Sequence, residues 1–473
     1  MRPTEQAVLQ TVDQWLDEHY PQMEQTLCNL LRYATVEGEA APGAPFGPVM
    51  VEALATVLDM AQEWGFNTEN LDNYLGLIDW PGAGEEQVGI LTHLDVVPAI
   101  EADWHYAPYA PIVDNGRIYG RGAMDNKGPL VAILYAMTAL KESGLQLGKT
   151  VRHIIGCNEE GDFKCMEYFL AHREPPSCGF SPDGDFPAVI GEKGMAFWEF
   201  RKRFAPDADA AGLRLIHIKG GTAGNVIPAK AEAMFAGDTQ ALFAAHQALP
   251  EDKRACLQLI KQGEQTMLLA IGESAHASQP ELGANAVSLL LSFLRGLSFA
   301  PADAGDFLHR LGDLFVDDSY GSTLGVAAED ALSKLTCCPN VLQVDTNGGS
   351  LCCDMRFPIS HRLGDYRTLL AGIAKAQGFE IEGPQGMEPH NVAEDTPLVQ
   401  ALLGVYREMT GDDSPPLIIG GGSYARFFQN FIAFGPGFPG EPMLAHKADE
   451  YINQERLSWM AKFYARAIYR LCT

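Results

Sequence analysis

The chain has 473 residues, 47% hydrophobic and 20% charged, with 34 basic against 61 acidic side chains and a formal net charge of -27. That length exceeds one ordinary core and calls for two or three domains, with the composition of a soluble globular protein. A surface of that sign repels nucleic-acid phosphates and anionic lipid, so neither a nucleic acid nor a membrane is an expected partner.

In chain order, the N-terminus lacks a basic start followed by an apolar stretch, and no uninterrupted apolar run approaches a membrane span. A cytoplasmic location with reduced thiols is therefore expected for the ten cysteines. Residues 5–33 and 47–65 are predicted as amphipathic helices, with Val51, Leu54, Val57, Leu58 and Ala61 on one face of the second. VGILTHLDVV (88–97) is a nearly continuous apolar run of strand length, as expected of a strand covered on both faces, and it contains His93-Leu94-Asp95. GRIYGRG then leads into Asp125-Asn126-Lys127-Gly128-Pro129 and the predicted helix LVAILYAMTALKES. A second apolar strand, TVRHIIG, runs toward Glu159-Glu160, and Asp183 follows in SPDGDFP.

After Gly191 the texture changes. From about 194 to 385, alternating segments such as MAFWEF and SLCCDMRF mix with helical ones such as NAVSLLLSFLRGL. The first texture returns near 390, with a helix at 396–409, a Gly-rich turn at 420–422 and a last histidine, His446, in HKADE. The expected fold is α/β. A catalytic domain (1–193 plus 386–473) holds a mixed β-sheet flanked by helices, and a large α+β lid domain (194–385) interrupts it. The insertion has room for two similar subdomains, although NVIPAKAEAMF and NVLQVDTNGGSLCCDMRF are only faintly alike.

Five segments thus supply acids or histidines where strands stop and loops begin, the edge at which open α/β sheets bind ligands. Each has an ordinary reading alone: a surface His-x-Asp, a helix-capping Asp-Asn, a solvated acidic loop, a turn aspartate, a loop histidine. Together they offer two imidazoles and at least four carboxylates. Adjacent Glu159 and Glu160 repel unless a cation or proton intervenes. The Asp95 carboxylate is placed to receive one imidazole N–H of His93 while the other nitrogen faces a metal. Asp125 is placed to bridge two cations about 3.5–4 Å apart, as hydrolytic two-metal sites require, and a capping role for it is compatible with this. His276 in ESAHASQPELGANA stands alone in the middle segment, among small residues that let a substrate approach.

These segments, in this order from about residue 25 to the end, resemble the di-zinc metallopeptidases that include aminoacylases, carboxypeptidases and carnosinases. Length, insertion and local wording most resemble the PepV-type (Sapep-like) dipeptidases of bacteria. The resemblance implies that His93, Asp125 and Asp183 hold one zinc, and that Asp125, Glu160 and His446 hold the other. It further implies that Asp95 orients His93, Glu159 is the general base, and the Asp125–Asn126 peptide is cis. By the same resemblance His276 assists the oxyanion, Asn225 and Arg356 contact substrate, and Gly421, Gly422 and Ser423 of GGGSYAR receive its backbone and carboxylate. Asn126 and Asn158 depart from the aspartates common in that branch.

The activity so implied is hydrolysis of unblocked dipeptides by a metal-activated water, with two zinc ions per chain and manganese or cobalt also compatible. Arg356 suits a planar carboxylate through a bidentate pair. The large insertion would replace the partner that supplies a lid histidine in dimeric relatives, so a monomer is expected. The competing readings are an N-acyl amino acid deacylase of the same fold and, from another class, a catalytically silent metal or peptide binder. Glu159 beside Glu160 argues against the latter, because a pure binder needs no spare base.

Overall fold

The computed structural model describes residues 5–205, 212–442 and 444–473. The described residues form two compact units, one falling within 5–191, 391–417 and 422–473, the other within 192–390 and 418–421.

In the first unit the apolar runs form a mixed sheet. Seven of its strands lie in the order Asn67–Leu71, Leu75–Trp80, Thr150–Gly156, Gln87–His93, Cys178–Ser181, Phe431–Ala433 and Val189–Glu192. The strands Thr150–Gly156, Gln87–His93 and Cys178–Ser181 are adjacent and parallel, so their carboxyl ends share one edge. Helix Lys127–Glu142 is buried without a break from Lys127 to Leu140. An apolar face all round suits only a helix enclosed by others. It packs against helices Glu5–Glu18, Tyr20–Leu31 and Gln454–Cys472. The fold class expected from the sequence, mixed α/β with helices around a mixed sheet, is the one observed.

The second unit is an antiparallel eight-stranded sheet. Its order is Leu257–Gln262, Gln265–Ile271, Lys230–Gly237, Leu213–Gly220, Thr336–Val344, Gly348–Phe357, Gly194–Arg203 and Glu380–Met387. Burial alternates along its strands, with Ala231, Ala233 and Phe235 inward on one and Thr266, Leu268 and Ala270 on another. Such alternation marks a sheet covered on one face. Helix Ala286–Leu294 packs on three of these strands, and its N-cap Asn285 accepts from Val287 N (2.9 Å) and Ser288 N (3.0 Å). The sheet has two four-stranded halves that meet between Leu213–Gly220 and Thr336–Val344, where only Ile218, Lys219 and Gly220 pair with Val344, Gln343 and Leu342.

The division between units falls a few residues outside the 194–385 read from the sequence. Strand Glu380–Met387 stays paired to Gly194–Arg203, which keeps residues 386 and 387 in the second unit. Residues 418–421, and with them Gly421, also belong there. No helix among the described residues is long and apolar enough to cross a membrane. All ten cysteines are free thiols.

Candidate metal centre

The shared edge of the three parallel strands explains why distant segments meet. His93 ends Gln87–His93, Glu159 and Glu160 lie just past Thr150–Gly156, and Asp183 lies just past Cys178–Ser181. Asp125 precedes helix Lys127–Glu142 across a cis Asp125–Asn126 peptide bond. His446 occupies the loop before strand Tyr451–Asn453, with φ at 65°.

Asp125 is central. Its Oδ1 lies 3.0 Å from His93 Nε2, and its Oδ2 lies 3.3 Å from His446 Nε2. Asp183 Oδ2 is 3.8 Å from His93 Nε2, and Glu160 is 3.0 Å from His446 Nε2. Ligand atoms within 4.8 Å of one another form two groups, His93 with Glu159 and Asp183, and His93 with Asp125 and Glu160. The five residues expected as metal ligands are therefore together, with Glu159 beside them.

The role expected for the Asp95 carboxylate is corrected by the geometry. His93 Nδ1 lies 2.9 Å from the main-chain oxygen of Asp95 and 3.5 Å from its Oδ1, so the hydrogen bond goes to the carbonyl. The strand has ended at His93, so the two side chains do not share a strand face. A carbonyl only accepts, so Nδ1 keeps its proton and Nε2 is the ring atom that faces Asp125 and Asp183, where it donates to Asp125. The Asp95 carboxylate instead accepts from Glu160 N at 2.7 Å. The Asp-Asn pair likewise makes no side-chain cap on helix Lys127–Glu142. Asn126 Nδ2 donates to Pro182 O at 2.7 Å, tying the Asp125 loop to the Asp183 loop. An ionised aspartate has no proton to give there.

The electrostatics are those of carboxylates and imidazoles packed against one another. Burial pushes the Asp125 carboxyl up, but hydrogen bonds from His446 and His93 prevail and hold it below the carboxylate range. Burial pulls both imidazoles down, yet the facing carboxylates win: His93 is raised well above its ordinary value and His446 to about 11. Burial and the charge of Asp183 raise Glu159 well above the ordinary range, and burial and Asp125 raise Glu160. Glu159 Oε1 is buried without a hydrogen-bond partner. A cluster of carboxylates and imidazoles with such an orphaned oxygen fits divalent cations, and the mixed N and O donor set suits zinc, manganese or cobalt.

Several contributors carry no catalytic motif of their own. Lys127 Nζ is buried and donates to Tyr33 O (2.7 Å) and Leu30 O (3.3 Å), with its pKa pulled down to about 7 by burial. Tyr424 Oη lies 2.8 Å from Cys165 Sγ, and its ring meets His93 edge-on at 6.2 Å. Glu450 is fully buried beneath the Asp125 loop. Its signal in the sequence was the acid that closes HKADE.

The remaining expected residues divide between the units. Gly422 and Ser423 belong to the first, where Ser423 Oγ accepts from Ala425 N at 3.2 Å and caps the turn at Tyr424–Phe427. His276, Asn225, Arg356 and Gly421 belong to the second. There Val226 pairs with His276, and Asn225 O accepts from Ala277 N at 2.9 Å, so Asn225 and His276 share one small ribbon. His276 Nδ1 accepts from Ser278 N at 3.2 Å, which leaves Nε2 as the protonated donor. Arg356 gives Nε and Nη2 to Asp354, both at 2.7 Å, and Nη1 to Gly420 O at 2.9 Å. One N–H on each terminal nitrogen of Arg356 is not used by these three bonds.

Residues 89–470 match Peptidase family M20/M25/M40. The chain is 36% identical over 440 residues to YtjP of Bacillus subtilis (strain 168), covering 92% of this chain and 93% of that protein. It is 35% identical over 439 residues to the Beta-Ala-Xaa dipeptidase of Lactobacillus delbrueckii subsp. lactis, covering 90% of each. Among solved structures, human carnosine dipeptidase 1 has a TM-score of 0.61 at 15% identity over 99% of both chains, a likeness of fold. The chain belongs to peptidase family M20/M25/M40 and is a metal-dependent peptidase.

Proposed function

We propose that the chain is a dipeptidase that uses a pair of divalent cations, in the first place zinc. The observation that carries the reading is Asp125, which presents one oxygen toward His93 and the other toward His446. His93 and Asp183 complete one site; Glu160 and His446 complete the other. When bound, the pair supplies a water of lowered pKa and charge that stabilises the carbonyl oxygen in the transition state.

The chain's own groups do the rest. Glu159 has an unpartnered oxygen at the cluster, in reach of a water it can deprotonate. Burial favours its neutral form, and beside bound cations its carboxylate would be the base. It then returns the proton to the leaving amine. His276 donates Nε2–H to the developing oxyanion, an interaction typically worth about 3–4 kcal/mol. Asn225, the open N–H groups of Arg356 and the turn at Gly421, Gly422 and Ser423 hold the substrate backbone and carboxylate. Fixing both ends measures substrate length, which favours dipeptides. Residues 194–385 act as the lid, His276 serves its own chain, and the protein works as a monomer in the cytoplasm.

The test is product analysis by mass spectrometry on zinc-loaded protein given dipeptides, matched tripeptides and N-acetyl amino acids, with a chelated control. Cleavage of dipeptides alone, abolished by chelation, is expected. Release of acetate would replace the dipeptidase by a deacylase on the same metal site.

A further inference from the structure

Glu450 closes HKADE four residues after His446, and the two-metal reading gives it no part. It is fully buried, and its carboxylate is enclosed by four donors. Oε2 accepts from Arg121 Nη1 at 2.8 Å and Gly122 N at 3.0 Å; Oε1 accepts from Met124 N at 2.8 Å and Asp125 N at 3.1 Å. Three of the four are main-chain amides of one loop, and the last belongs to Asp125 itself. Around it, Gly120 N donates to Glu450 O at 3.0 Å, and Tyr451–Asn453 pairs with Arg117–Tyr119. Asp449 Oδ1 accepts from His105 N at 2.8 Å and Tyr106 N at 3.2 Å. The segment that carries His446 is thereby fastened to the segment that carries Asp125.

We propose that Glu450 is the positioning residue of the metal pair: its carboxylate fixes the backbone of residues 121–125 so that each oxygen of Asp125 faces one histidine. Only an acceptor on both arms satisfies this loop. A glutamine turns an NH2 toward two of the donors, and an aspartate draws the carboxylate back by one methylene. Groups that orient a metal ligand commonly change metal affinity about 10–100-fold when replaced. The proposal rests on the two-metal reading.

The experiment uses the full chain, stripped of metal, as wild type, Glu450→Gln and Glu450→Asp. Zinc alone is titrated in competition with a chromophoric chelator, and circular dichroism and melting are recorded for each metal-free protein. Wild type is expected to take two zinc ions. A natively folded Glu450→Gln protein should bind both at least about tenfold more weakly, because they share Asp125. Excess zinc should then recover most of kcat with KM unchanged. A folded variant with wild-type zinc affinity, whatever its melting temperature, would overturn the proposal and leave Glu450 merely structural. Should the Gln variant fail to fold, Glu450→Asp decides on the same criterion. Wild type that binds fewer than two ions would instead remove the two-metal reading itself.

Discussion

Around Asp125 the acids and imidazoles neutralise one another through shared protons. Burial pulls both rings down, but Asp125 and Glu160 raise His446 to about 11 and Asp125 raises His93, so both favour the protonated form. A metal needs their lone pairs, so uptake must expel protons, and affinity must fall as pH falls. Calorimetry of zinc binding in two buffers of different ionisation enthalpy should give heats that differ by the released protons; equal heats would show that none leave. Glu159 is separable from the ligands. Glu159→Gln should cut turnover by about 10²–10⁴-fold, the usual worth of a general base, while zinc content stays at the wild-type value. Unchanged turnover would remove it as the base. His93, Glu159, Glu160 and Asp183 were legible as acids or a histidine at strand ends, whereas Asp125, ahead of a helix, and His446, in a loop, were given their roles by the resemblance. The bond from His93 to a main-chain carbonyl, the diversion of Asn126 to Pro182 and the engagement of Arg356 by Asp354 were not legible. They depend on where loops from distant parts of the chain come to rest.

The strands that aim these loops were readable as apolar runs, because a parallel strand buried on both faces leaves no polar alternation. What the runs did not reveal is how tightly the sheet's end is filled. Gly156, the last residue of Thr150–Gly156, faces the Tyr424 ring: a Cβ there would lie 2.0 Å from the phenol oxygen. Tyr424 is fully buried and meets His93 edge-on. Gly156→Ala should therefore displace Tyr424, cost about 1–3 kcal/mol as overpacking does, and lower zinc affinity through His93. Chemical denaturation and zinc titration of the variant check both; wild-type values for the two would show that Tyr424 moves aside freely. The helix expected over 396–409 is observed at Pro397–Thr410. The ribbon that pairs Val226 with His276 is two residues long on each side, too short for any period to register.

The change of texture after Gly191 marked where one unit gives way to the other, because an antiparallel sheet covered on one face alternates where the first unit's buried strands do not. The strip 418–421 escaped this reading, since four residues carry no texture. The eight-stranded sheet runs unbroken within one chain, with two halves joined by the three pairs from Ile218–Val344 to Gly220–Leu342. That continuity supports the proposal that the insertion stands in for a partner subunit. Light scattering across a wide concentration range should then give one chain per particle at full activity, and activity that appears only with dimers would contradict it. The account as a whole turns on one shared carboxylate. The most direct measurement is zinc stoichiometry, by equilibrium dialysis and elemental analysis, alongside dipeptide turnover, for wild type and Asp125→Asn. Two ions per chain with turnover in the wild type, and loss of both ions' tight binding together with turnover in the variant, are predicted. A folded Asp125→Asn protein that holds two zinc ions and hydrolyses dipeptides at the wild-type rate would contradict it.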